Sequence, residues 1–86
     1  MKHRCRTDII ATMLVSASNG PISKTRLMYM AYVPHEQMRS FVSMLVENDL
    51  LYFNNQTHHF NTTAKGRKFL GLYDEMHQCV DLAELI

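Results

Sequence analysis

The sequence predicts a small α+β domain in which three helices precede a two-stranded β-hairpin and a fourth helix follows it. Apolar residues recur at helical spacing over residues 7–18, 24–32 and 35–48, and a longer apolar stripe of the same period closes the chain. Two short stretches, 50–54 and 58–62, flank an Asn-rich turn, which is typical of a hairpin. Together these patterns fill the 86 residues with a single domain.

The first helix is predicted from Thr7 to Ser18. The hydroxyl of Thr7 is placed to accept hydrogen bonds from early backbone amides, and the carboxylate of Asp8 suits the positive end of a helix. Gly20 and Pro21 end the helix, because glycine adopts left-handed conformations and proline cannot continue a helix. The predicted buried stripe consists of Ile9, Ile10, Met13, Leu14 and Ala17.

The second and third helices are predicted at Lys24–Tyr32 and His35–Asn48, with a tight turn between them. Pro34 makes this turn, because it disfavours a helical conformation at the residue before it and presets the first turn of the next helix. Ser23 is placed to cap the second helix, after a short strand or extended residue at Ile22. The predicted buried faces consist of Leu27, Met28 and Ala31 in the second helix and of Met38, Phe41, Val42 and Leu45 in the third.

The outward face of the third helix is predicted to be polar. It consists of Glu36, Ser40, Ser43 and Glu47, flanked by Gln37 and Arg39. Short polar side chains on such a face can approach a DNA groove closely. Asn48 and Asp49 supply a left-handed exit from the helix, where glycine is more usual.

The fourth helix is predicted from a cap at Thr62 or Thr63 to about Leu85. The domain core needs only residues 7–70 or thereabouts, so the later part of the apolar stripe in helix 63–85 would be exposed in a monomer. We expect that part to pair with the same helix of a second copy. The expected dimerisation residues are Leu72, Met76, Cys79, Val80 and Ala83.

The composition indicates a folded cytoplasmic protein. The apolar content of 47% excludes a disordered chain. No apolar run approaches the roughly 18 residues of a membrane span, and Asp8, Thr12 and Ser16 interrupt the apolar stretch that a signal peptide would need. In a reducing cytoplasm we expect Cys5 and Cys79 to be free thiols.

The order of the elements, helix–turn–helix and then a hairpin that forms a wing, makes DNA binding the leading hypothesis. The net charge of +1 predicts no nucleic acid by itself, but its distribution is uneven. Residues 1–45 carry six basic and two acidic side chains, whereas residues 74–86 carry four acidic side chains and no Lys or Arg. One part of the surface could therefore meet phosphate while the C-terminal end faces away.

Three stretches resemble a known family: GPISKTRLMY at residues 20–29, LVENDLL at 45–51 and NTTAKGRKFL at 61–70. The chain is similar over nearly its whole length to small archaeal winged-helix proteins, including ten-kilodalton DNA-binding proteins that dimerise through a C-terminal antiparallel coiled coil. The resemblance implies a winged-helix fold, a homodimer and duplex DNA as the ligand, and it does not imply an enzyme. The sequence departs from the family pattern at Pro34, at Glu36 where a basic residue is common, and at Asp49 where glycine is usual.

The predicted DNA-binding residues come from three places in the sequence. In the third helix, Gln37 and Arg39 are placed to read bases or contact phosphate, and Ser40 and Ser43 to contact bases or backbone. At the start of the second helix, Lys24, Thr25 and Arg26 combine exposed amides, a hydroxyl and two cations, which suits a phosphate. In the wing, Asn55, Gln56 and His58 would lie near the minor groove or the backbone. For each set the alternative is an ordinary solvated surface.

The main alternative function is a winged-helix protein-interaction module without significant DNA affinity. The near-neutral charge, the acidic side chains of Glu36 and Glu47 and the uncharged wing favour this alternative. A metal site or cofactor is not expected, because His77 and Cys79 do not share a helical face and His58 and His59 would point to opposite sides of a strand. An enzyme is not expected either, since no nucleophile, base and orienting acid group together.

Overall fold

The computed structural model describes residues 6–79, including the side chains of residues 6–76. Within this part of the chain four helices and three short strands follow one another, so the predicted fold class is confirmed. They are α1 (Arg6–Ser18), β1 (Ile22–Ser23), α2 (Lys24–Ala31), α3 (His35–Glu47), β2 (Leu51–Asn54), β3 (His59–Thr62) and α4 (Ala64–Cys79). The predicted continuation of α4 to Leu85 lies outside the described residues. Among residues 6–79 no helix combines the length and the apolar character needed to cross a membrane.

The three strands form one antiparallel sheet in the order β1-β3-β2. The β2–β3 hairpin is the predicted wing, and its register sets Phe53 opposite Phe60. The segment predicted as a short strand or extended residue at Ile22 is a strand, and Ile22 pairs with Phe60 from the other side. The sheet therefore has a third strand that ties the entry to α2 to the wing.

The core is formed between the helices and the inner side of the sheet. Among the described side chains, the six largest that are fully buried are Met13, Leu14, Leu27, Met38, Leu45 and Leu51. The helices α1, α2 and α3 each contribute to this set. Their buried residues belong to the predicted apolar stripes, because side chains three and four residues apart lie on the same face of a helix. Ile9, Ile10, Met28 and Val42, also predicted to face inward, are partly buried against the core.

The connection from α2 to α3 places α3 at a fixed angle to α2. The second helix ends at Ala31, one residue before the predicted end, because Tyr32 adopts a left-handed conformation with φ of 55°. The backbone amide of Tyr32 donates to the carbonyl of Tyr29 at 3.3 Å. Pro34 then precedes the first residue of α3, and its carbonyl accepts a hydrogen bond from the amide of Met38 at 2.9 Å. This turn supports the predicted role of Pro34.

The two threonines predicted as alternative caps of α4 have different roles. Thr63 is the cap, since its Oγ1 accepts a hydrogen bond from the amide of Gly66 at 3.0 Å. Thr62 is 4% exposed, and its hydroxyl donates to the carbonyl of Leu14 in α1 at 2.5 Å. Together they fix β3 against α1 and set the direction in which α4 starts.

A residue in the left-handed backbone conformation follows α3, as predicted. This residue is Asp49, with φ of 61°, whereas Asn48 has φ of −91°. The carbonyl of Asp49 accepts a hydrogen bond from the Thr63 hydroxyl at 2.6 Å, and the ammonium of Lys65 donates to the carbonyl of Asn48 at 2.9 Å. The start of α4 is thus tied to the end of α3.

Candidate nucleic-acid interface

The outward face of α3 is solvent-exposed, as its polar composition predicts. Met38, Phe41 and Leu45 are buried on the inner side of the helix. The side chains on the other side are exposed, and they are Glu36, Gln37, Arg39, Ser40, Ser43 and Glu47. The helix therefore presents neutral hydrogen-bonding groups and one cation near its start, with a carboxylate at each end.

The start of α2 is organised by Ser23. Its side chain accepts a hydrogen bond from the amide of Arg26 at 3.2 Å, so the predicted cap is present. Lys24, Thr25 and Arg26 are all exposed. The first turn of a helix carries amides without intrahelical acceptors and a partial positive charge, so this end of α2 favours an anion.

The structure brings residues from all three predicted regions around one groove, here called the α3–wing groove. Its polar and charged lining residues are Lys24 from α2, Arg39, Ser43 and Glu47 from α3, and His58 from the wing. Its apolar lining residues are Val42 and Val46 from α3 and Phe53 and Phe60 from the wing. The groove is open to solvent and has a volume of about 630 Å³. Four of the ten predicted DNA-binding residues therefore meet at a single feature of the surface.

The remaining predicted DNA-binding residues are exposed but do not line this groove. They are Thr25, Arg26, Gln37, Ser40, Asn55 and Gln56. The apolar lining of the groove was not predicted from the sequence. Val46 offered a signal, because it is an apolar residue next to the polar face of α3 in the sequence, and in the structure it is 39% exposed.

The tip of the wing differs from the prediction at His58. The second strand begins at His59, whereas His58 lies in the turn with φ of 60°. The reason is the side chain of Asn54, whose Oδ1 accepts hydrogen bonds from the amides of Gln56 at 2.8 Å and Thr57 at 3.2 Å. The assignment of His58 to a strand, with its side chain alternating with that of His59, is therefore wrong. The ring of His58 lies 6.0 Å from that of Phe53.

The start of α4 holds a second group of cations, two of which have structural partners. The ammonium of Lys65 donates to Asn48 as described above, and Nη2 of Arg67 lies 3.4 Å from the carbonyl oxygen of Ser18. Lys68 is exposed. This cluster serves first to hold α4 against the ends of α3 and α1.

A second groove lies on the side formed by α1 and α4. It encloses about 450 Å³, and its apolar lining includes Val15, Met30 and Leu70. Tyr73, which also lines it, donates a hydrogen bond from its hydroxyl to the carboxylate of Asp8. Of the predicted dimerisation residues, Leu72 and Met76 are 54% and 49% exposed, and Cys79, Val80 and Ala83 lie outside the described side chains.

Comparison with known proteins gives a family match and a fold match. The family described as winged helix-turn-helix matches residues 3–81. The structure is similar to the crystal structure of Sso10a-2, a DNA-binding protein from Sulfolobus solfataricus, with a TM-score of 0.75 and 18% sequence identity. That similarity covers 88% of this chain and 81% of Sso10a-2. None of the curated protein sequences matches the chain.

Proposed function

This chain belongs to the winged helix-turn-helix family, and from that premise we propose that it binds double-stranded DNA as a homodimer. The observation that carries the proposal is the convergence of the α2 N-terminus, the outward face of α3 and the wing around the α3–wing groove. Support comes from the similarity in fold to Sso10a-2, which is a DNA-binding protein. The proposed surface combines hydrogen-bonding groups for base edges with cations for phosphate.

In the proposed complex α3 enters the major groove. Gln37 and Arg39 lie near the start of this helix, where helix-turn-helix proteins contact base edges, and both side chains are exposed. A Gln side chain can pair with adenine and an Arg side chain with guanine through two hydrogen bonds. Ser40 and Ser43 follow on the same exposed face, where they contact bases or the sugar–phosphate backbone.

In the proposed complex the start of α2 and the wing contact the sugar–phosphate backbone of the DNA on either side of α3. Lys24, Thr25 and Arg26 offer two cations, a hydroxyl and the helix N-terminus to one phosphate. At the wing tip the amides of Gln56 and Thr57 are already bonded to Asn54, so the wing contacts DNA through side chains. Because the tip carries no Lys or Arg, its contribution to affinity is smaller than that of α2.

The proposed dimer forms through α4. Leu72 and Met76 are four residues apart and about half exposed, so they lie on one helical face that the monomer leaves uncovered. In the sequence Cys79, Val80 and Ala83 continue this apolar spacing. Two copies paired through this face would carry two α3 helices to one duplex.

The proposed role is that of a transcription regulator. An architectural chromatin protein, which also binds DNA, is the alternative role. A regulator reads a palindromic site with half-sites about one helical turn apart. An architectural protein binds without sequence preference and with a steep dependence on salt. The mixture of Gln37, Arg39 and two serines on α3 supports readout of base edges.

A second candidate is a protein-interaction module that has this fold and binds no DNA. The observation that favours it is the charge of α3, where Glu36 and Glu47 are exposed at the two ends of the helix and Glu47 lines the α3–wing groove. These carboxylates repel phosphate and suit a basic protein partner. Glu47 lies eight residues beyond Arg39, about 12 Å along the helix, so the positive part of the surface is short.

The experiment that separates the two is fluorescence anisotropy with a labelled generic duplex at several salt concentrations, with the mass of the protein measured by light scattering. If the chain binds DNA as proposed, it should be a dimer whose affinity falls linearly with salt on a double-logarithmic plot. A folded protein that does not bind the duplex even at low salt would support the interaction module instead.

A further inference from the structure

The interior of the α3–wing groove is more apolar than a surface for phosphate and base edges requires. Val42 and Val46 line it from α3, and Phe53 and Phe60 line it from the wing. The rings of Phe53 and Phe60 are 4.8 Å apart between centroids and inclined by 45°, and the His58 ring continues the row at 6.0 Å from Phe53. Phe60 is 5% exposed and belongs to the core, so the ring surface that the wing offers to the groove comes mainly from Phe53 and His58.

The groove has the size and lining of a small-molecule site. Its volume of about 630 Å³ falls within the range of about 300–1,000 Å³ that is usual for ligand pockets. Such pockets have mainly apolar and aromatic walls with a few polar groups that orient the ligand. The row of rings favours a flat aromatic body, because aromatic rings gain from offset or edge-to-face contacts.

The charged residues that line the groove favour a ligand with a negative charge. Lys24 and Arg39 line it, and Lys24 is the first residue of α2, where the helix carries its partial positive charge. Glu47 is the acidic residue of the lining and stands about 12 Å along α3 from Arg39. The two cations of the lining, Lys24 and Arg39, therefore suit an anionic head group.

We propose that the α3–wing groove binds an aromatic carboxylate and that this ligand excludes DNA. The exclusion rests on the proposed DNA-binding function, because Lys24 and Arg39 would serve both the carboxylate and the phosphate backbone. A ligand that competes for the same residues raises the apparent dissociation constant for DNA in proportion to its own concentration. At ten times the ligand's dissociation constant, DNA affinity falls about elevenfold for each copy whose groove the DNA must occupy.

The site itself is tested on the full chain without DNA. The probe is 2-naphthoate, titrated by isothermal calorimetry, and its control is 2-naphthalenemethanol, which has the same rings and no charge. We expect saturable binding of the acid with an affinity at least severalfold higher than that of the alcohol. Absence of saturable binding, or equal binding of acid and alcohol, would overturn the proposal.

The position of the site is tested by filling the groove. Val46→Trp places a large side chain at a residue that is 39% exposed and lines the groove, so binding of 2-naphthoate should be lost. The matched control is Val15→Trp, at a valine of α1 that is 47% exposed and outside this groove. Circular dichroism checks that both variants remain folded. Retention of binding in Val46→Trp, with a native spectrum, would place the ligand elsewhere.

The exclusion of DNA is tested by repeating the anisotropy titration in the presence of 2-naphthoate, with equal concentrations of acetate as the control for ionic strength. The apparent dissociation constant for DNA should rise more with 2-naphthoate than with the same concentration of acetate, which reports the effect of salt alone. An unchanged constant at saturating 2-naphthoate would overturn the exclusion. Failure of the ligand-free protein to bind DNA would defeat the proposed function alone, since the calorimetric titration decides the ligand site by itself.

Discussion

Gly66 of α4 lies directly against the backbone at Leu50, so closely that a Cβ added at residue 66 would overlap the carbonyl oxygen of Leu50. The same carbon would be 2.6 Å from Cγ2 of Thr62. Because one neighbour is backbone, neither α4 nor the segment entering β2 can move aside without disturbing the hydrogen bonds that Thr63 makes there. The absence of a side chain at residue 66 is what lets α4 start this close to the sheet.

Gly66→Ala should therefore destabilise the domain by about 1–3 kcal/mol, the usual cost of overpacking. Gly71→Ala is the matched control, since nothing lies within 4 Å of a Cβ at that position of the same helix. There alanine should be neutral or stabilising by about 0.5–1 kcal/mol, because glycine weakens a helix interior. Urea unfolding at equal protein concentration measures both variants, and equal stability of the two would contradict the close approach.

Arg39→Ala should weaken DNA binding without unfolding the domain, because the side chain is exposed on α3. If Arg39 reads a base, the substitution weakens binding by about 1–3 kcal/mol, or roughly 5- to 150-fold in affinity. Lys68→Ala removes the same charge from an exposed position on α4, outside the proposed surface. Anisotropy titrations compare the two variants, and an Arg39→Ala protein with unchanged affinity would remove Arg39 from the site.

Arg26→Ala should weaken binding to all sequences alike, because Arg26 is proposed to contact phosphate from the start of α2. Removing one cation from a phosphate reduces the slope of log affinity against log salt by about 1. The slope should therefore fall by about 2 for a dimer that uses both copies of Arg26. The measurement is a salt series with several duplexes of different sequence, and weaker binding confined to one duplex would contradict the phosphate role.

Truncation after Tyr73 should give monomers, because it removes Met76 and the apolar positions that follow it in the sequence. The hydrogen bond between Tyr73 and Asp8 remains, so the domain should stay folded. Full-length protein with Leu72→Glu and Met76→Glu tests the same face, since both residues are exposed in the described structure. Light scattering gives the mass, and a dimer in both proteins would place the interface elsewhere.

The helices could be predicted from the sequence because their information is local. Apolar spacing, Ser23 before α2 and Pro34 before α3 each act within a few residues. The left-handed exit at Asp49 was predictable for the same reason, since short polar side chains tolerate that conformation. Helix boundaries differed from prediction by a residue, as at Tyr32, where the helix ends in an αL turn.

What the sequence could not show depends on distant parts of the chain. The choice between Thr62 and Thr63 as the cap depends on Leu14, which is 48 residues away from Thr62. The carbonyl of Leu14 accepts a hydrogen bond from the Thr62 hydroxyl, so Thr62 is not available as the cap. The turn at His58 depends on the side chain of Asn54 competing for two amides of the loop. The apolar groove could not be predicted from the sequence, because it forms only when the register of the hairpin sets Phe53 opposite Phe60 and both lie beside α3.

The most direct test of the DNA-binding surface is amide NMR of the labelled full-length protein titrated with a generic duplex. Chemical-shift changes should concentrate at residues 24–26, along the outward face of α3 and at the wing tip, with little change in α1. Changes confined to α1 and α4, or no changes at low salt, would contradict the proposed surface.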